Sequence, residues 1–547
     1  MSPTRSHARS ALGATAAFLV LLAAFYALVS FTGRSPVIEY IRPMTAAPGD
    51  EIVIVGDHFG ETRGRSKIRI AGSVPTSSAY REWSDTRIVM EVPEDATSGL
   101  TYVETDRGRS NGVLFANAEH IPHGETTTDS SARPVISAVE PESAPVGAVV
   151  TLRGSRFGNN RNGAEVSFAW RSAGGEMGRV PVSDGDFGYV RWSAREIRVR
   201  VPDGAVSGLV TVRTARGESR GVELEIEQPV GIKRFTGRRS HAIAVTVTLD
   251  SVQFAEEGSG GTLYLWAPTV SRAPEQRNYQ TLTESDTPLF TRTAGVALYR
   301  IRDPQAGSSW TLRRSSLFDR YAVETEIDAA AVPLDYEQST EFMRRYTEAD
   351  VLLPVGAEAI EAEAGRLLRT ARNPYVRALR TYETVLARLS PVERVGAVEP
   401  LTALETGEAN AYGYATLTVS LLRAQDIPAR VVSGYLVCTD ESIERHYWAE
   451  LYVERFGWVP LDPAAADGAV CAEFGLPEEP GAYYFGNTDA RRIAFSKGLI
   501  SVPRMHPEGR TDRVETMYSL QTHHQEAVGD IRWYRVRWHD VTYLGDY

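Results

Sequence analysis

One run, Asn410 to Pro463, constrains the fold more than any other. Ala415, Leu417, Val419, Leu421 and Leu422 form a long Leu/Ala-rich segment that stops at Ile427-Pro428, which predicts a helix. Val431 to Val437 reads as a buried strand. His446 to Val453 alternates, so His446, Trp448, Glu450 and Tyr452 share one side of a second strand. A turn at Phe456-Gly457 then leads to Trp458, Asp462 and Pro463. A helix feeding two adjacent strands can bring residues from the start of the helix, the second strand and the segment after it to one place.

The order and spacing of these residues resemble the transglutaminase-like superfamily, relatives of papain in mechanism. The matching positions are Tyr414-Ala415, Leu421 to Ala424, Ile427 to Arg430, Gly434-Tyr435, His446-x-Trp448-x-Glu450, and Gly457-Trp458 to Asp462-Pro463. The resemblance implies an α+β papain-like core, with His446 and Asp462 as the catalytic His and Asp. It places the nucleophilic Cys three residues before the aromatic-Ala pair, where this chain has Ala411.

A thiolate at a helix N-terminus is favoured by the helix dipole and by an adjacent imidazole. It attacks an amide carbonyl while the Asp orients the His. A methyl group cannot attack, and losing a triad nucleophile costs on the order of a million-fold in turnover. The resemblance therefore implies a transglutaminase-like fold whose His446–Asp462 pair is vestigial. Asn410, Tyr412 and Tyr447 either line the cleft where the family's substrate lies or fill the space left by the thiol. Cys438 and Cys471, the chain's 2 cysteines, are either joined or free. Glu450 pairs with Arg423 or Arg430 on this reading, in a structural role. No metal site and no cofactor is implied.

Upstream, Ala11 to Phe31 is uncharged and apolar, long enough to span a bilayer, and follows Arg5 and Arg9. It predicts an N-terminal transmembrane helix, with residues 1–10 cytoplasmic, the span at 11–32 and the bulk extracytoplasmic. A formal net charge of −11 with no basic cluster argues against nucleic acid as a partner.

An internal repeat follows the span. Pro36-Val-Ile recurs at Pro134, Pro43 at Pro141, Gly49 at Gly147, Gly56-x-x-Phe59-Gly60 at Gly154-x-x-Phe157-Gly158, Trp83 at Trp192, and Val92-Pro93 at Val201-Pro202. Short alternating strands lie between these marks, and each copy predicts a small all-β sandwich. The pattern resembles the immunoglobulin-like IPT/TIG domain over 35–117 and 133–228, with a Thr/Ser-rich linker at 118–132. Such copies serve as adhesion modules or, the favoured reading, as a spacer.

Residues 229–335 predict a β domain and 336–500 the α+β core. Within the core, Pro374 opens a helix whose buried stripe is Val376, Leu379, Tyr382, Leu386 and Leu389. Residues 501–547 form a C-terminal extension with a terminal strand pair. The architecture implies a membrane-anchored protein of a bacterial cell envelope, periplasmic or at the cell surface. Its core binds a peptide, a polysaccharide or an envelope protein without catalysis. An active cysteine-type enzyme, if the register is shifted or Ala411 replaces a native cysteine, and an inert structural cap are the alternatives.

Overall fold

The computed structural model describes residues 35–117, 133–499, 505–511 and 524–546. It is interrupted at 71–72, 94–95, 97–98, 162, 184–185, 256–259, 293–294, 337–339, 394–395, 472–473 and 507–508. The apolar Ala11 to Phe31 run and the linker 118–132 lie outside the described residues. Among the described residues no helix is long and apolar enough to cross a membrane.

Two compact units are present, 1–127 with 504–509, and 128–503 with 510–547. In the first, strands Val37–Arg42, Glu51–Asp57, Arg87–Glu91 and Tyr80–Trp83 make one sheet, facing another built on Gly99–Thr105. The second copy repeats this order with Val135–Glu140, Val149–Ser155, Glu196–Arg200 and Tyr189–Trp192. The shared Gly-x-x-Phe-Gly mark now has a cause. Phe59 and Phe157 are core residues, and a Cβ on Gly56 or Gly154 would overlap both that ring and the carbonyl of Val37 or Val135.

Two sheets form the following β domain, and both draw on the C-terminal segment. One has the order 276–284, 310–327, 231–254, 531–546. The other includes Gly261–Pro268 paired with His524–Gly529. The stretch from 501 onward, read from sequence as an extension, thus supplies strands to the domain that begins near 229.

The core packs helices against an antiparallel sheet of order 457–461, 443–453, 429–437, 492–497. Its central helix, Ala411–Arg423, is buried from Tyr412 through Arg423. Burying it all round requires its hydroxyls to find partners. Thr416, Thr418 and Ser420 donate to the carbonyls one turn back at 2.7, 2.7 and 2.8 Å.

In the Pro374–Arg388 helix the buried residues are Pro374, Ala378, Thr381, Tyr382 and Val385, followed by Leu389. Val376, Leu379 and Leu386 are only half-buried, which corrects the predicted stripe. Polar Thr381 takes an inner position because its hydroxyl accepts from Gln425 Nε2 at 2.9 Å, a pairing invisible to an apolar count.

Candidate functional site

The strand Ile443–Val453 and the strand Gly457–Leu461 form a hairpin with Ala449 opposite Leu461. His446 lies on the first strand and Asp462 just beyond the second, and His446 Nε2 is 2.8 Å from Asp462 Oδ2. Gly434 stands opposite His446 on the neighbouring strand. A Cβ there would overlap the Ile493 carbonyl and press on the Trp448 ring. Trp448 in turn stacks on His446 with centroids 6.4 Å apart.

Asp462 is fully buried and every polar atom it offers is engaged. Its backbone N–H donates to Tyr484 O at 3.0 Å, and its Oδ1 accepts from Ala465 N at 2.9 Å, capping the short helix Pro463–Ala466. Its Oδ2 also forms an ion pair with Arg492, itself fully buried. Burial alone would raise the Asp462 carboxyl. The Arg492 guanidinium and His446 outweigh it and hold the group below the usual carboxylate range. An ionised Asp462 can only accept, so His446 donates to it through Nε2. Arg492 also reaches Asp489 at 3.1 Å and lies over the Tyr484 ring at 5.0 Å. Sequence reading missed Arg492; its one signal was the Arg491-Arg492 pair beyond the hairpin.

Ala411 opens the central helix, and Asn410 is its N-cap. Asn410 Oδ1 accepts from Gly413 N at 3.2 Å while its Nδ2 donates to Gly396 O at 2.6 Å, so both ends of the amide serve local structure. Tyr412 meets Tyr447 edge to face at 5.2 Å, which brings the first turn of the helix beside the His446 strand. Ala411 packs on the apolar cluster that contains Ala464, two residues past Asp462. Tyr412 is buried in the core between helix and sheet, with Tyr447 packed against it.

Glu450 is a structural ion-pair partner. It accepts from Arg430 Nε and from Lys497 Nζ, each at 2.7 Å, whereas Arg423 pairs with Asp350 at 3.2 Å. Cys438 and Cys471 are joined in a buried disulfide across a separation of 33 residues. Among the described residues, Cys438, Glu444 and Cys471 cluster as potential metal ligands, but their sulfurs are bonded to each other and offer no thiolate.

A buried helix with its N-terminus beside a His–Asp hairpin defines an α+β core. The transglutaminase-like superfamily matches residues 362–463, and the IPT/TIG domain matches 36–117 and 134–221. The chain thus carries a transglutaminase-like core domain preceded by two IPT/TIG domains. No curated protein matches it. Among solved structures, a cysteine protease candidate from Cytophaga hutchinsonii is 11% identical, covering 57% of this chain and 93% of its own, with a TM-score of 0.36. The surface glycan-binding protein PbSGBP-B from Prevotella bryantii is 10% identical, covering 53% of this chain and 99% of its own, with a TM-score of 0.19.

Proposed function

We propose that the transglutaminase-like domain is a non-catalytic binding or scaffold module of a membrane-anchored, extracytoplasmic protein. The observation that carries this reading is the identity of the residue opening the central helix. Ala411 offers a methyl group where the family's chemistry needs a thiolate, while His446 and Asp462 keep their pairing. His446 is 2% exposed and Asp462 0%, so the pair is better placed to brace the core than to meet a solute. The Cys438–Cys471 disulfide suits an oxidising compartment outside the cytoplasm. The Ala11 to Phe31 run supports the anchor. Peptide, polysaccharide or an envelope protein is the partner class.

The test restores the thiol. Ala411→Cys places sulfur at the helix N-terminus, and the thiol should react rapidly with iodoacetamide near neutral pH. His446→Ala in that background should slow the reaction, and Asp462→Asn should slow it less. The natural sequence should show no amide hydrolysis or acyl transfer with any acceptor amine. Turnover abolished by His446→Ala would overturn the reading; an inert thiol in the Ala411→Cys variant would show that the helix start is not the nucleophile position.

A further inference from the structure

The hairpin that carries His446 and Asp462 does not end in solvent. Its tip, where Val453 pairs with Gly457, is seated on the second IPT/TIG domain, and glycines on both sides allow the approach. A Cβ on Gly147 of the sandwich, where φ is +84°, would overlap the Tyr452 hydroxyl. A Cβ on Gly457 of the hairpin, where φ is +101°, would overlap the Asp203 carboxylate and lie 3.2 Å from Val146. Gly49, the counterpart of Gly147 in the first copy, would meet nothing within 4 Å among the described residues.

Buried charge reinforces this contact. Lys233 is paired with Asp203 of the sandwich and donates to Trp458 O on the hairpin at 2.7 Å. Arg430, already bound to Glu450 on the His446 strand, reaches Asp186 of the sandwich at 2.9 Å while lying 3.7 Å from the Trp458 ring centre. Tyr346 donates to the same Asp186 oxygen at 2.9 Å. The sandwich also shares its apolar core with the β domain, with Trp170 5.4 Å from Phe235 and 5.1 Å from Tyr321.

We propose that the second IPT/TIG domain is a positioning element of the site: its Gly147 turn, Asp186 and Asp203 seat the hairpin tip and thereby fix His446 against Asp462. A hairpin's two strands are registered by their turn, so holding the tip holds the residues at its open end. Replacing these half-buried, paired carboxylates by amides leaves Lys233 without its counter-ion, removes one of the two carboxylates bound to Arg430, and frees the tip. The seat sets the spacing of the pair whether or not the pair turns over a substrate.

The test uses the full chain carrying Asp186→Asn and Asp203→Asn together, with selectively labelled histidine. In the parent, His446, assigned through His446→Gln, should show a downfield Nε2–H bonded to Asp462. The double variant should lose that signal and speed amide exchange across 443–461 by about tenfold or more. Arg153→Ala, which removes an exposed charge on the same sandwich, should change neither. A folded double variant with the His446 signal and hairpin protection unchanged would overturn the proposal. If the double variant does not fold, native-state exchange of the unmodified chain decides. Joint opening of strands 149–155 and 196–200 with the hairpin supports it, and opening of those strands while 443–461 stays protected overturns it.

Discussion

Arg492 and Asp462 form an ion pair in which neither side chain is exposed. The guanidinium approaches the same carboxylate oxygen that His446 uses, so this Asp is oriented from two sides. Removing one partner of a buried pair leaves an uncompensated charge. Arg492→Met should therefore cost about 3–5 kcal/mol in chemical denaturation. A loss below about 1 kcal/mol, the size of a surface change, would show that the pair is dispensable.

Acid sensitivity should follow from two buried groups. Asp462 is held below its unfolded value, so its stabilisation is complete above about pH 3.9 and is lost as pH falls through the lower folded value. His241 donates through Nε2 to Ala490 O at 2.8 Å and accepts from the Tyr543 hydroxyl at 2.9 Å. Burial holds its pKa below the ordinary imidazole range, helped by nearby Arg320 and opposed by the Ala490 bond and Asp546. The unfolded ring therefore binds a proton first, and stability falls on acidification below about pH 6.5, by up to about 1.4 kcal/mol per pH unit. His241→Gln should remove one proton's share of that slope in denaturation curves taken at successive pH values.

The disulfide closes a separation of 33 residues that includes both His446 and Asp462. Replacing Cys438 and Cys471 together by Ser should cost up to about 3–4 kcal/mol. Equal denaturation midpoints with and without the pair would mean that packing of Leu436 and Phe474 around it suffices.

The two sandwiches should behave differently when excised. Residues 35–117 belong to a compact unit with its own apolar core and should unfold cooperatively alone. Residues 133–228 leave behind Phe235, Tyr321 and Val323, part of their core cluster, and should be far less stable. In either copy the ring of the repeat is central, and Phe59→Ala or Phe157→Ala should cost about 3–5 kcal/mol by thermal or chemical denaturation.

What was legible in the sequence was local. Alternation from His446 to Val453 and the turn at Gly457 specify the hairpin, because strand period and turn residues are written in neighbouring positions. The helix around Ala415 to Leu422 is readable for the same reason, whereas Asn410, read as a cleft residue, is its N-cap. The role of Arg492 was not legible, since its carboxylate lies 30 residues away and the Arg491-Arg492 pair carries no mark of that partner. The seat for the hairpin tip was equally hidden. Gly147 reads as an ordinary turn glycine, and only the Tyr452 hydroxyl beside it separates it from Gly49. That contact turns a domain read as a spacer into part of the larger unit.

Residues 241–254 of the strand 231–254 pair with 531–546, and His241 and Tyr543, which touch, are 302 residues apart in the chain. At about 5–20 residues per second, a ribosome takes roughly 15–60 s to make what lies between them. For that interval one edge of a long strand waits unpaired, a ready template for strands of other chains. Export in an unfolded state or a chaperone on that edge would spare the nascent chain, and the whole transglutaminase-like core would be made before the β domain around it closes.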